Sequence, residues 1–409
     1  MPQPHPVQGV FQRPVAQQPL HDAADRRCRP VQRLSTFEPD DVVEGSHVRR
    51  VCAPGHARAV VRVSNIMQDA VVTGQDGSGR ASAVAARFAD LIERDRLAVP
   101  LPGRGRTAQR WRILAELAAD DLDLGRLAEA HLDALAILAE LHEPASAQSL
   151  PGQRWAVWAA EPPNGRVEAH RHPDGGWRLI GTKRWCSGAH ACTHALVTAH
   201  TVDGGRLFAV DLSEPGVRPG LGGWKGLGMA GSDTQNVEFD TVPAAAIGAP
   251  GAYLDRVGFW HGAIGVAACW YGGAVAVGRP LWEAARDSDL DPHARAHLGA
   301  VDTALTAAGS VLREAAAAVD RGPDPATSDP PSRQLAQRRA LRVRAVVETA
   351  ATEIIERVGR ALGPRPLATD ATHSRRIADL IVYLRQSHAE RDLAALGDLV
   401  ARADSWTWW

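Results

Sequence analysis

The chain of 409 residues is longer than one hydrophobic core usually supports, so two or three domains are expected. Its formal net charge of −1 and its 23% of charged residues provide no excess of basic side chains, and this argues against a nucleic-acid partner. No apolar run approaches the roughly 18–20 residues that span a bilayer, and the N-terminus lacks a secretory pattern, so the composition predicts a cytoplasmic protein without a membrane partner.

The first third of the chain contains two unlike segments. Residues 1–66 are rich in Pro, Gln, Arg and His and show little apolar periodicity, which predicts a disordered extension. From 67 to 150, apolar residues recur at helical spacing in three segments, about 79–99, 107–120 and 124–141. This region is therefore expected to be a small N-terminal helical bundle.

The pattern changes to that of strands between residues 151 and 250. Two Asp-Gly-Gly sequences, at 174–176 and 203–205, are hairpin turn signals. The predicted strands, in chain order, are WAVWAA, GWRLIGTKRW, HALVTAHT, RLFAVDL and NVEFDT. This region is expected to be an antiparallel β-barrel or sandwich.

Helical periodicity returns from 251 to 402 and ends before a tail at 403–409. The predicted helices are 252–287, 291–321, 332–362 and about 370–401. Long helices with short connections are typical of an up-and-down four-helix bundle. The expected fold class is thus a multidomain α+β protein, with a helical bundle, a central β domain and a second helical bundle.

Cysteine usage gives no sign of a metal site. The five cysteines are scattered and lack the paired CxxC spacing of zinc ligands, so buried thiols are expected. His131 and Asp133 lie on different faces of their predicted helix, which disfavours a shared metal ion. No metal site is predicted.

Two local motifs in the β region resemble signatures of the acyl-CoA dehydrogenase family. WRLIGTKRWCSGAHACTHALVTA (177–199) is similar to its strand with G-x-K-x-W, a small hydroxyl residue and an apolar strand. GWKGLGMAGSDTQNVEFDTVP (223–243) is similar to its Gly-rich turn and the strand that ends in Val-Pro. The resemblance covers roughly 79–400 and implies FAD as cofactor and a homodimer or homotetramer.

The resemblance also implies which residues contact the flavin. A flavin ring is flat and apolar and has polar edges, so it needs an aromatic wall and hydrogen-bond donors. By motif position, Trp185 would supply the wall, Ser187 would approach N5, and the main chain near Ala160 would reach the pyrimidine edge. Gly359 and Gly363 would let the backbone approach the adenine half of a neighbouring subunit's cofactor. The alternative interpretation is that Trp185 is a core residue of the barrel and that Ser187 is a hydroxyl residue of a turn.

The catalytic base is less obvious, because the family's E-G-T motif is absent from SRRIADLIVYLRQSHAERDLAALG (374–397). If Asp379 aligns with the arginine of the family's Arg-Asp pair, His388 takes the position of the catalytic glutamate. A histidine suits proton transfer near neutral pH and can hold a phenol, as in the monooxygenase branch of the superfamily. His388 could instead be a surface residue. At the family's second location for the base, His261 is expected to be a core histidine.

Two departures weaken the CoA-related part of the resemblance. EPPNGRV (161–167) is shorter than the family's serine-containing turn, and ARDSDLDPHARAHLG (285–299) lacks its diphosphate-binding pattern. The first prediction is an FAD-dependent oxidoreductase acting on a CH–CH bond of an acyl thioester or another small hydrophobic substrate, with an unspecified electron acceptor. The alternatives are a flavin-dependent monooxygenase of the same fold and a non-catalytic scaffold that has lost its flavin.

Overall fold

The computed structural model describes residues 77–141, 152–221, 223–287, 289–403 and 405. The predicted disordered extension at 1–66 lies outside the described residues, as do Cys28, Cys52 and the tryptophans at 406, 408 and 409. Among the described residues, Cys186, Cys192 and Cys269 are buried free thiols, as predicted. No described helix is both long and apolar enough to cross a membrane.

Three helices precede the β domain: α1 (Gly77–Glu93), α2 (Thr107–Asp120) and α3 (Leu122–Leu141). Each buries one apolar face, centred on Phe88, Leu114 and Leu127, and this confirms the helical periodicity. The first predicted helix was too long at its C-terminal end. The chain leaves the helical conformation after Glu93, and Asp95 adopts a left-handed backbone (φ +55°).

The β domain is a closed barrel rather than a sandwich. Its order is β1-β4-β2-β3-β7-β5, and a β4–β5 pairing closes the ring, while β6 pairs with β7. The strands are β1 (Trp155–Trp158), β2 (Val167–Arg171), β3 (Trp177–Cys186), β4 (His194–Thr201), β5 (Gly204–Asp211), β6 (Val217–Pro219) and β7 (Gln235–Ile247). Both predicted hairpin turns are present. Most of the pairings are antiparallel, as expected, while β1 runs parallel to β4 and β2 pairs with β4 in parallel at Glu168 and His200.

Strand β3 contains two shifts in pairing register, and the second lies next to the candidate site. Its pairing with β7 shifts between Leu179 and Gly181, and again between Lys183 and Cys186. Gly181 has φ +123°, and a Cβ there would lie 2.2 Å from the Arg166 carbonyl oxygen, so only glycine fits. The second irregularity turns the end of β3 out of the regular ladder.

The C-terminal region is helical, as predicted, but it contains more helices than expected. They are α4 (Ala252–Asp255), α5 (Gly258–Asp287), α6 (Pro292–Asp320), α7 (Pro330–Leu362), α8 (Arg365–Thr369), α9 (Ala371–Leu384) and α10 (Glu390–Ala401). The predicted fourth long helix is divided into α9 and α10. Ala389 has φ +47°, and the His388 amide donates to the Asp392 carboxylate at 3.1 Å, which starts a new helix.

Candidate functional site

The first part of the site is the segment at the end of β3, Trp185–His190, called here the first turn. Trp185 has a left-handed backbone (φ +57°), and 58% of the residue is exposed. This conformation costs a non-glycine residue about 1–2 kcal/mol, so the neighbouring structure imposes it. The chain thus holds a large aromatic ring at the barrel surface and does not pack it into the core.

The second part of the site is Met229–Thr234, called here the second turn, and hydroxyl groups join it to the first. Ser187 Oγ and Thr234 Oγ1 are 2.9 Å apart, and Thr234 Oγ1 is also 2.9 Å from Ser232 Oγ. The Ser232 hydroxyl donates to the Met229 carbonyl at 2.7 Å. A hydroxyl has a single proton, so this hydroxyl chain requires Thr234 to donate to Ser232 and Ser187 to donate to Thr234, and Ser187 retains capacity only as an acceptor.

A histidine–aspartate pair also joins the two turns. The His190 amide donates to Asp233 Oδ2 at 2.6 Å, and its ring Nδ1 lies 3.0 Å from Asp233 Oδ1. Asp233 is another non-glycine residue with a left-handed backbone (φ +47°). Sequence analysis singled out neither residue. Their pairing fixes the relative position of the Trp185 ring and the hydroxyl chain.

Helix α9 packs on the second turn through a buried carboxylate. Asp379 is 2% exposed, and its Oδ1 accepts from the Met229 amide at 2.7 Å. A Cβ on Gly228 would lie 2.2 Å from the Ala378 carbonyl oxygen, so glycine permits this close approach. Burial raises the pKa of Asp379. The carboxylate thus holds the second turn against α9.

Arg80 of α1 connects Asp379 with the carboxylates of the N-terminal helices. Its Nε donates to Asp123 at 2.9 Å, and its Nη2 contacts Asp121 at 3.0 Å and lies 3.8 Å from Asp379. Asp123 is fully buried, and that burial raises its pKa to about 7. Three helices from distant parts of the sequence therefore meet the second turn through one network of charges.

The other residues assigned to the cofactor lie apart from the two turns. Ala160 is half-buried and lies just beyond Trp158, where the pairing of β1 with β4 ends. Gly359 and Gly363 are at the C-terminal end of α7, and a Cβ at either would meet nothing within 4 Å. Gly363 has φ +66° and caps the helix. Backbone at these three positions is approachable, while their roles remain predictions.

His388 lies in the segment between α9 and α10. Its ring Nδ1 is 3.1 Å from Asp392 Oδ1, and its side chain is 59% exposed. None of its polar contacts in the described part of the chain reaches Trp185 or Ser187. The structure therefore gives His388 an aspartate partner and solvent access, and its assignment as the base stays a prediction.

His261 is a core residue, as expected, but it is not a satisfied one. It is 3% exposed, and its Nδ1 has no hydrogen-bond partner among the described residues. Burial lowers its pKa to about 4, so it is neutral near pH 7. It lines a small internal pocket with the charged side chains of Arg110, Glu129 and Asp133, which sequence analysis missed as a group.

The sequence of α3 contains a pattern that could have indicated buried charges. Arg126, Glu129, Asp133 and Glu140 recur at spacings of three, four and seven residues, which places them on one helical face. That face points inward, because the side chains of Arg126, Glu129 and Glu140 are 14%, 7% and 6% exposed. An inward charged stripe on an Ala- and Leu-rich helix requires partners on neighbouring elements.

The two turns have features that suit a flavin. Trp185 offers an exposed aromatic face, and the half-buried Ser187 offers a hydroxyl oxygen as hydrogen-bond acceptor two residues away. Gly188 has φ +71°, and a Cβ there would lie 2.9 Å from Cys192 Sγ, so the turn leaves no space for a side chain. The residues present are compatible with the group that the motifs imply.

Comparison with known proteins agrees with this geometry. Residues 160–242 match the model of the acyl-CoA dehydrogenase middle domain. Dibenzothiophene monooxygenase TdsC from Paenibacillus sp. A11-2 is 22% identical with a TM-score of 0.61, over 79% of this chain and 96% of that one. Methanesulfinate monooxygenase MsuC from Pseudomonas fluorescens is 19% identical with a TM-score of 0.65, over 80% and 97%.

A nitrososynthase from Micromonospora carbonacea var. africana is also similar, at 21% identity and a TM-score of 0.61 over 80% of this chain and 95% of that one. No curated protein matches the chain. The fold and the two turns thus define an acyl-CoA dehydrogenase-like architecture. The similarity to the solved structures confirms the fold class predicted from the motifs, and the middle-domain match of residues 160–242 agrees with the resemblance to the acyl-CoA dehydrogenase family.

Proposed function

We propose that this chain is a flavin-dependent monooxygenase and that FMN is its flavin. The observation that carries the proposal is the absence of the family's E-G-T motif from 374–397, where His388, paired with Asp392, takes the position of the catalytic glutamate. The nearby buried carboxylate, Asp379, accepts a hydrogen bond from the Met229 amide and lies 3.8 Å from Arg80, so it serves to hold the second turn. The family removes the substrate proton with a carboxylate, whereas a histidine also suits the proton transfers that accompany oxygenation.

Known relatives of the fold support the same choice. TdsC is a dibenzothiophene monooxygenase that has been solved with FMN bound, and MsuC is a methanesulfinate monooxygenase. The chain lacks the diphosphate-binding pattern in 285–299 that would favour FAD. These points replace the earlier expectation of FAD with FMN as the proposed cofactor.

The reaction class is substrate plus dioxygen plus reduced flavin giving oxygenated substrate, water and oxidised flavin. Bound reduced flavin would supply the two electrons, delivered by a separate flavin reductase. Trp185 would stack on the ring, the Ser187 hydroxyl oxygen would accept a hydrogen bond from its polar edge, and Ala160 would contribute main-chain groups. His388, oriented by Asp392, would hold or transfer a proton at the substrate. Gly359 and Gly363 would approach a second copy in a homodimer or homotetramer.

The second candidate function is α,β-dehydrogenation of an acyl thioester with FAD. The match of residues 160–242 to the acyl-CoA dehydrogenase middle domain favours it. In this case His388 would act as the base in place of the family's glutamate.

Oxygen consumption separates the two candidates. The purified chain, mixed with FMN, a flavin reductase, NADH and either indole or dibenzothiophene as trial substrate, is expected to couple oxygen uptake to formation of an oxygenated product. Anaerobic bleaching of bound flavin by butyryl-CoA would overturn the monooxygenase proposal and favour dehydrogenation. If the purified chain binds neither FMN nor FAD, the non-catalytic scaffold is the alternative that remains.

Replacing His388 with alanine is expected to lower turnover about 10²–10⁴-fold, the usual contribution of a positioned acid or base. Folding should be unaffected, because the side chain is 59% exposed. His172 is the matched control, since its Nδ1 lies 3.1 Å from Asp174 and its side chain is 45% exposed. Equal turnover in the His388→Ala and His172→Ala variants would remove His388 from the mechanism.

A further inference from the structure

A groove between α2, α5 and α6 lies outside the candidate flavin site. Its volume is about 530 Å³, within the range of about 300–1,000 Å³ that small-molecule sites usually have. All of its described lining residues belong to these three helices, and none belongs to the first or the second turn. A ligand in this groove would therefore occupy a second site, whose existence does not depend on the proposed function.

Short side chains keep the groove open. Ala108 and Ala115 line it from α2, where a spacing of seven residues places them on one helical face, and Gly309 lines it from α6. A Cβ on Gly272 of α5 would lie 2.0 Å from the Ala115 carbonyl oxygen, so α5 and α2 are in backbone contact at this residue. The groove therefore lies beside closely packed helices and is not a gap left by loose packing.

The floor of the groove is apolar. Trp111 of α2 and Leu312 of α6 line it, and they are only 4% and 7% exposed. Covering apolar surface stabilises a complex by about 25 cal/mol per Å² removed from water. The floor thus favours a ligand with a compact apolar body, such as an aromatic ring system.

Two hydrogen-bond donors lie close together at the edge of this floor. A Cβ on Gly309 would lie 2.9 Å from the Tyr271 hydroxyl oxygen and 3.3 Å from Arg313 Nη1, so both donors flank the same glycine. Tyr271 is half-buried, and its hydroxyl has no hydrogen-bond partner among the described residues. Arg313 Nη2 donates to Ser310 Oγ at 2.9 Å, and no carboxylate in the described chain lies within 4 Å of this guanidinium.

The charge at the groove is positive. Arg112 is the second arginine that lines it, and its Nε lies 3.5 Å from Glu116 Oε1. Both side chains of that pair are largely exposed, at 71% and 66%, so the pair is weak. No aspartate or glutamate is among the described lining residues. Two guanidinium groups without a carboxylate in the lining favour an anionic ligand.

We infer that this groove binds a small organic acid with a compact aromatic body and one carboxylate. The ring would cover Trp111 and Leu312, and the carboxylate would accept from Arg313 and from the Tyr271 hydroxyl. Hydrogen bonds between two charged groups are roughly twice as strong as neutral ones, so an uncharged analogue binds less tightly. The arginines also repel a cationic ligand. The groove therefore selects aromatic anions over neutral or cationic molecules of the same size.

2-Naphthoate is a suitable probe, because 2-naphthamide is an uncharged analogue of nearly the same shape. Isothermal titration calorimetry on the full chain as purified is expected to show at least about tenfold tighter binding of the acid, the equivalent of about 1.4 kcal/mol. Arg313→Met should remove that preference and leave amide binding unchanged. The variant should fold, because Arg313 is exposed. Raising the salt concentration tenfold should weaken binding of the acid and not of the amide, since exposed charges are screened.

The matched control is Arg94→Met, since Arg94 is also an exposed arginine with a carboxylate four residues away and lies outside the groove. It should bind both probes as the wild type does. Ala108→Trp, which fills the groove from an exposed position, should weaken binding of both probes. Equal wild-type affinity for the acid and the amide would overturn the inference, as would equal binding of the acid by the Arg313 and Arg94 variants. A second copy of the chain covering the groove in crystals grown with 2-naphthoate would also overturn it.

Discussion

Replacing Trp185 with glycine is expected to weaken FMN binding about 100-fold while leaving the free energy of unfolding within about 1 kcal/mol of the wild type. A factor of 100 corresponds to about 2.7 kcal/mol, which is in the range for burying one large aromatic face against an apolar ring. Stability should change little, because the side chain is 58% exposed and glycine relieves the strain at φ +57°. Fluorescence titration and thermal unfolding measure the two effects.

The control for this variant is Trp282→Ala. Trp282 is also a large exposed ring, 49% accessible, but it lies on α5 beside Arg286 and not at the first turn. Its replacement should leave FMN affinity unchanged. If Trp185→Gly and Trp282→Ala bind FMN equally well, the first turn is not the flavin wall and the proposed function loses its main support.

Replacing Arg256 with methionine is expected to lower the free energy of unfolding by about 3–5 kcal/mol, because it leaves the Glu140 carboxylate buried without its partner. The two side chains are 1% and 6% exposed, and their N–O distance is 2.6 Å. The double variant Arg256→Met/Glu140→Leu should recover most of the loss. Arg333→Met, which breaks an exposed pair with Asp255, should cost no more than about 1 kcal/mol. Chemical denaturation measures all four proteins.

The loss in Arg256→Met should also depend on pH. Burial raises the pKa of Glu140 to about 7, and the Arg256 charge opposes that rise. The pKa of Glu140 in the unfolded chain is about 4.3. Between about pH 4.3 and about pH 7 the folded chain therefore keeps a proton on Glu140 that the unfolded chain releases, so the contribution of Glu140 to the free energy of unfolding falls as pH rises. In Arg256→Met the pKa of Glu140 is higher still, so the free energy of unfolding continues to fall up to a higher pH than in the wild type. A destabilisation that is equal at pH 5 and pH 8 would contradict this account.

Local sequence patterns predicted much of the fold. Helix α2 (Thr107–Asp120) and strand β4 (His194–Thr201) have the predicted bounds, because their apolar periodicity coincides with the faces they bury. The break between α9 and α10 was not predicted. At the break Ala389 has a positive φ and the His388 amide donates to the Asp392 carboxylate, features that the apolar spacing of 370–401 does not reveal.

The candidate site was likewise predicted only in part from the sequence. The motifs identified Trp185 and Ser187, since their spacing is local and lies within one strand and its turn. The partners of those residues are distant: Thr234 is 47 residues from Ser187, and Asp379 is 150 residues from Met229. Reading one segment at a time could not pair them, because such contacts depend on how the barrel closes and how α9 packs on it.

By itself, the sequence determined the resemblance to the acyl-CoA dehydrogenase family, the order of helical and β regions, and the candidate aromatic and hydroxyl residues of the first turn, since each is encoded in adjacent or periodic positions. Only the tertiary structure decided that Asp379 holds the second turn, and that Asp133, Arg110 and His261 surround one pocket. Charge pairing and burial depend on neighbours that the fold brings together, and those neighbours determine whether a carboxylate is ionised and what it contacts.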